Sequence, residues 1–214
     1  MAKLRYHGAE FTFNKRMSHG WQLGGSVTLS KSEGNTTGAS QRGSDFRNPN
    51  SLVNSFGLTA NDRPIFVKLF GSFSLPWKLM ASFSYRFASG APFTRTVTVY
   101  PPAAWAAANN VNRSYTYTIN VEPRGSRRDL SQSQLDFRIE KQFSFSKIGT
   151  FGVFLDVFNI LGFTHVNVNQ NPAGSWRPTG ANTNVGTLTP TGSYARIASV
   201  DGNRILKFSV RFRF

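Results

Sequence analysis

Large apolar residues alternate with polar ones along most of this chain. At the C-terminal end, Leu206, Phe208, Val210, Phe212 and Phe214 alternate with Lys207, Ser209, Arg211 and Arg213. Residues 65–75 place Ile65, Val67, Leu69, Phe73 and Leu75 on one side, with Lys68, Ser72 and Ser74 on the other. Residues 79–87 set Leu79, Ala81, Phe83, Tyr85 and Phe87 against Met80, Ser82, Ser84 and Arg86. Residues 135–145 set Leu135, Phe137, Ile139, Phe143 and Phe145 against Asp136, Arg138, Glu140, Gln142 and Ser144. Segments 5–17, 21–29 and 151–157 alternate as well, the last with Asp156 on its polar side. A period of two identifies β-strands, and helical periodicity fits none of these runs. The pattern predicts about seven long strands and no helix.

The connections are unequal. Short links of turn-forming residues fall at 16–21, 75–78 and 145–150. Between the hairpins lie long stretches rich in Gly, Asn, Ser, Thr and Pro, at about 32–62, 89–127 and 162–202. Loops of that length are foreign to a compact soluble domain. Short turns at one end and long loops at the other are the asymmetry of a bacterial outer-membrane barrel. The stretch 113–121 is a candidate extra strand.

The side-chain chemistry of the two faces separates a barrel wall from a soluble sandwich. Trp21, Trp77, Tyr85, Phe87, Phe145, Phe151 and Phe214 crowd the apolar face near strand ends, where interfacial aromatic girdles belong. Basic residues on the apolar face, Lys15 and Lys141, lie next to short turns, and Asn159 breaks that face near the opposite end of its strand. Lys68, Arg86, Asp136, Arg138, Glu140, Asp156, Lys207 and Arg211 fall on the polar face, which a water-filled or plugged lumen would solvate. The fold class expected is all-β: an antiparallel transmembrane β-barrel, present in part. Short periplasmic turns and long extracellular loops join its strands.

Composition changes this picture in one respect. Lys and Arg number 25 against 10 Asp and Glu, a formal charge of +15, yet charged residues make up only 16% of the chain while phenylalanine alone counts 20. Many of the arginines (42, 47, 63, 95, 113, 124, 127, 128, 177, 196 and 204) fall in loops or at strand entrances. They are either solvated loop charge or contacts for phosphates of lipopolysaccharide or an anionic ligand. An OB-like nucleic-acid-binding sheet is the soluble alternative, but its strands are shorter and its basic residues are clustered, so nucleic acid is not an expected partner. No cysteine is present, which excludes disulfides and thiolate metal sites. His7, His19 and His165 stand in separate segments without ligand-spaced partners. No nucleophile is paired with a base, so neither catalysis nor a cofactor or metal is expected. The N-terminal "MAKLRYHGAEF" has no apolar signal region.

The ending resembles the C-terminal assembly signal of outer-membrane proteins: Lys207, Phe212 and Phe214 match, and Ser209 stands where glycine is usual. Three further stretches carry a wider resemblance: "YHGAEFTFNKRMSHGWQLGGSVTLSKS", "NDRPIFVKLFGSFSLPWKLMASFSYRFASGAPFT" and "FGVFLDVFNILGFTHV". Together they resemble the C-terminal barrel of TonB-dependent receptors of the large group with a carboxypeptidase-regulatory-like domain. The resemblance implies a barrel of about 22 strands with an N-terminal plug and a TonB box. Residues 1–214 would be the C-terminal barrel segment, without plug or box. It would sit in the outer membrane of a Gram-negative-type bacterium, in contact with outer-membrane lipid, lipopolysaccharide and the barrel-assembly machinery. TonB would act only through the missing plug, and the segment would serve uptake of a scarce ligand. A complete small barrel acting as porin, adhesin or structural protein is the alternative.

Overall fold

A computed structural model describes residues 3–36, 52–108, 116–145, 149–163, 165–170, 172–179 and 185–214. Seven long strands form one antiparallel sheet: β1 (Leu4–Ser18), β2 (Trp21–Gly34), β3 (Ile65–Leu75), β4 (Leu79–Ala88), β5 (Gln132–Phe145), β6 (Gly149–Phe158) and β7 (Ile205–Arg213). Sheet order equals chain order, so the sheet is an up-and-down meander. Six of the seven have ten or more residues, with β7 at nine; soluble strands average about 5–6. Among the described residues β1 and β7 pair on one side only, so the sheet is open.

The short connections follow from local chemistry. Ser18 pairs with Trp21, leaving a two-residue turn at His19 (φ 52°) and Gly20 (φ 78°). Two positive φ values make the hairpin turn whose twist matches its strands, and glycine supplies the second at no steric cost. Leu75 pairs with Leu79 across Pro76–Lys78, where Trp77 and Lys78 also take positive φ. Phe145 pairs with Gly149; residues 146–148 of the third short link lie outside the described residues.

The long links all leave from the other end, and they are not structureless. The β4–β5 hairpin is prolonged by Pro92–Phe93 against Arg127–Arg128, and the β6–β7 hairpin by His165–Val168 against Ile197–Asp201. Gly57–Leu58 pairs with Glu33–Gly34 at the end of β2. Thr96–Val99, Tyr117–Asn120, Gly174–Pro178 and Gly186–Pro190 form a separate four-stranded sheet. The candidate strand in 113–121 is therefore a strand at Tyr117–Asn120, but it pairs with Thr96–Val99 and adds nothing to the seven-stranded sheet. Residues 113–115 fall outside the described part, as do Arg42 and Arg47.

One element contradicts the sequence reading. Ala103–Ala108 is a short α-helix, where the alternation predicts none. Its sequence is AAWAAA after two prolines, and Ala106 donates to the Pro102 carbonyl at 2.9 Å. Alanine has the best helix propensity and proline suits a helix start, so local preference decides a segment too short to show periodicity.

The packing is inverted relative to a soluble domain. Along β6 the buried residues are Gly152, Phe154 and Asp156, while Leu155 is 39% exposed. On β7, Leu206 is 71% and Phe208 68% exposed. Among the described residues, the buried hydrophobics are Ala81, Val97, Ala106, Phe154 and Ala173, which include a single large side chain. Surfaces of soluble proteins do carry apolar atoms, but as scattered residues or patches of a few hundred Å². Here the apolar residues of adjacent strands stand opposite one another in unbroken rows. One row runs Leu69, Tyr85, Leu135, and another runs Ile139, Leu155, Phe208, all three exposed.

Candidate functional site

Register settles which side chains share a face. Directly opposed residues of an antiparallel pair point the same way. Lys68 stands opposite Arg86, Arg86 opposite Gln134, and Arg138 opposite Asp156, which is opposite Lys207. Asp136 and Glu140 follow from their place on β5, and Arg211 lies opposite Gly152. All the charged residues singled out on the polar face thus lie on one side of the sheet. Ser209 joins them, while Phe212 points to the apolar side opposite Phe151. Phe214 lies just past the end of β7 and is fully exposed.

These groups are wired to one another. Arg138 makes a two-pronged ion pair with Asp156, its Nε and one terminal nitrogen (3.0 Å) each donating to a carboxylate oxygen. Such fork geometry is the strong form of an ion pair. Phe154 lies between two cations, with the guanidinium carbons of Arg211 at 4.8 Å and Arg138 at 5.5 Å from its ring centre. This is why a phenylalanine can be buried on the charged face. Arg86 donates to Gln134 at 3.4 Å, and the Gln134 amide donates to both oxygens of Asp136 at 3.1 Å. Gln142 donates to Glu140 at 2.7 Å.

Asn159 departs from its expected position. It lies beyond the end of β6 with φ 52°, so it does not sit on the apolar face at all. Its backbone N–H donates to Asp136 Oδ1 at 2.9 Å, and its amide donates to the carbonyls of Phe163 (2.9 Å) and Gly202. Asparagine is among the few residues that tolerate the left-handed region. It ends β6 and joins both arms of the β6–β7 extension. A cavity of about 380 Å³ opens beside it where the polar face meets the loops, lined by Arg86, Gln134, Phe158, Asp201 and Asn203 among others.

The long loops form one connected layer. Asn54 and Asn120 exchange amide-to-carbonyl bonds at 3.0 and 3.3 Å, and Leu58 donates to the Arg124 carbonyl at 3.0 Å. These contacts tie the first loop to the second. Gly174–Trp176 runs parallel to Val97–Val99, and Gln170 donates to Asp129 at 3.0 Å, which ties the second to the third. Arg177 stacks over the Tyr100 ring at 3.7 Å. At the junction sits Asp62, only 1% exposed. It accepts from the Ser32 backbone N–H at the end of β2 and from Arg128, which also donates to the Gly90 carbonyl at 3.1 Å. A Cβ at Gly90 would overlap the Asp129 carbonyl oxygen, so "SGAPF" needs glycine for this close approach. Sequence reasoning missed the roles of Asp62, Gln134 and Phe154. For Asp62 no local signal existed, because the groups it bonds, the Ser32 N–H and Arg128, lie 30 and 66 residues away.

Glu122 holds the second loop together. It accepts from the Arg127 side chain at 2.7 and 3.2 Å and from the Arg95 backbone N–H at 2.8 Å. The Arg127 hydrogen bond first, then the bond from Arg95, lower its pKa from 4.5 to about 2 against the raising effect of burial. A carboxyl depressed in the folded state stabilises above its unfolded pKa and loses that contribution as pH falls through the folded value. Amide protection around Arg95 and Arg127 should therefore hold at neutral pH and fall between about 4.5 and 2. Glu122→Gln should flatten that profile, as hydrogen exchange at stepped pH would record.

His7 lies on β1 and His19 in the β1–β2 turn; the side chain of His165 is outside the described residues. Among the described residues no cluster of three or more metal-ligating side chains occurs, and no helix is long and apolar enough to cross a membrane, which says nothing of a β-barrel. Neither a protein-family model, nor a curated protein, nor a solved structure matches the chain.

Proposed function

We propose that this chain is a section of the wall of an outer-membrane β-barrel, together with its extracellular loop layer, of the kind found in TonB-dependent receptors. The observation that carries the reading is the inverted packing: a broad apolar face left uncovered, and a charged, hydrogen-bonded face on the other side. In water an apolar face of this extent would be buried; against acyl chains it needs no cover. The dimensions agree. The ten steps of β3 span about 34 Å, and a tilt of about 40° would reduce this to about 26 Å, the height of a barrel's apolar band.

The exceptions on the apolar face fit the same frame. Lys15 Nζ reaches Ser18 Oγ (2.8 Å), the Trp21 carbonyl (3.0 Å) and the Trp21 ring (3.7 Å), and Lys141 bonds the Trp77 carbonyl. Both lysines bend their charge to the short-turn rim, as cations at an interface do. Strand parity supports a partial wall. With seven antiparallel strands, β1 and β7 run in the same direction, so joining them to each other would make a parallel seam. Closure in an all-antiparallel barrel takes an odd number of further strands, as in a larger receptor barrel.

In this reading the polar face lines the lumen, the loops capture a ligand outside, and Lys207, Ser209, Phe212 and Phe214 form the signal read by the assembly machinery. No catalytic step is assigned. The test is heat-modifiability: the chain should be insoluble in plain buffer. In detergent or lipid it should become a β-rich species whose gel mobility changes on boiling. A soluble, cooperatively folded monomer in buffer would overturn the membrane assignment.

A further inference from the structure

The two rims of the apolar face treat their cations differently. At the short-turn rim, Lys15 and Lys141 are tied to turn carbonyls. At the loop rim, the register β1–β2 places Ala9 opposite Leu29, then His7 opposite Lys31, then Arg5 opposite Glu33, all on the apolar side. The pairing continues to Lys3, which exchanges backbone and side-chain bonds with Asn35. Glu33 is shared by Lys31 at 2.6 Å and Arg5 at 4.0 Å. One carboxylate thus faces two cations, and the Lys31 and Arg5 side chains remain 61% and 59% exposed. Among the described residues, each is paired with Glu33 alone, and a lysine carries three donors and an arginine five.

Directly below this patch the same face turns apolar, through Leu29 and Phe11, both exposed. Two residues above Leu29, a strand tilted by about 45° has risen about 5 Å, which puts Lys31 inside a headgroup layer about 5–8 Å deep. We propose that Arg5 and Lys31 hold the phosphate of an acylated, phosphate-bearing lipid whose chains lie along Phe11 and Leu29. This rests on the membrane reading above and names its lipid partner. Glu33 orients Lys31 and Arg5 but repels the phosphate, so the patch carries a built-in opposing charge.

The test uses the full chain in neutral detergent, with bisphosphorylated lipid A and its dephosphorylated form as probes. The parent should retain lipid A over the dephosphorylated form. Each cation near an anionic lipid surface is worth about fivefold, so Arg5→Gln with Lys31→Gln should weaken retention about 25-fold. Glu33→Gln should tighten it about fivefold, a sign that mere loss of structure would not produce. Lys68→Gln, on the opposite face, should change nothing, and inorganic phosphate should not compete. Unchanged retention in the double variant, equal loss in Lys68→Gln, weakening in Glu33→Gln, or competition by inorganic phosphate overturns the lipid site while leaving the wall intact. A soluble, cooperatively folded monomer in plain buffer overturns the membrane reading, and this site with it.

Discussion

Asp62→Ala is expected to separate the first loop from the second while the seven-stranded sheet stays folded. The Asp62 carboxylate is buried, so its loss removes the acceptor for the Ser32 N–H and the partner of Arg128 in one step. Breaking a buried ion pair by deleting one partner costs about 3–5 kcal/mol, because the remaining charge stays desolvated. Arg128 keeps 30% of its side chain exposed, which places the expected cost near the low end, about 3 kcal/mol. The loss should be local. Hydrogen exchange would rise at Leu58, Thr59 and Asp129, whose amides bond within this junction, while β4, β5 and β6 keep their protection. Asp62→Asn, which retains an acceptor for Ser32 but not the charge, should fall between. Uniform loss of protection across the seven long strands would mean that the loops and the sheet fold as one unit, and the local junction role of Asp62 would be wrong.

The seven-stranded sheet was legible because its pattern is written at period two. Large apolar and polar residues alternate along β3 to β7, with Phe66, Phe70 and Phe154 as exceptions, and register then aligns what the alternation had separated. Lys15 and Lys141 could be placed for the same reason. The loop layer was not legible. Its strands are two to five residues long, too short for alternation to register, and their partners lie in other loops. Asp62 and Arg128 are 66 residues apart, and nothing in either neighbourhood announces the other. Asn159 was misplaced because alternation was extended one residue past the true end of β6; a left-handed asparagine ends a strand without leaving a polar-apolar signature. Phe154 shows the converse limit. Its burial among cations depends on Arg138 and Arg211 arriving from β5 and β7.

Leu155→Arg separates a membrane wall from a soluble sheet more sharply than any change on the charged face. Leu155 lies midway along β6, between Ile139 and Phe208, and is 39% exposed. If that exposure is to water, an arginine there gains solvation and disturbs little, and surface changes of this kind fall within about 0.5 kcal/mol. If it is to hydrocarbon near mid-bilayer, the same arginine costs about 2–4 kcal/mol. Position along the strand supplies the control. Phe145→Arg, at the short-turn end of β5, should cost about 0–1 kcal/mol, because an interface can solvate it. Ser84→Arg, on the polar face opposite Asp136, should be tolerated in either medium. Reversible unfolding in phosphatidylcholine vesicles should therefore give a steep penalty at 155, a shallow one at 145 and almost none at 84. The gradient matters more than any single value, since a packing defect would not scale with height along the strand. Equal tolerance at all three positions would place water against the phenylalanine rows, and the apolar face would then need a protein partner to cover it.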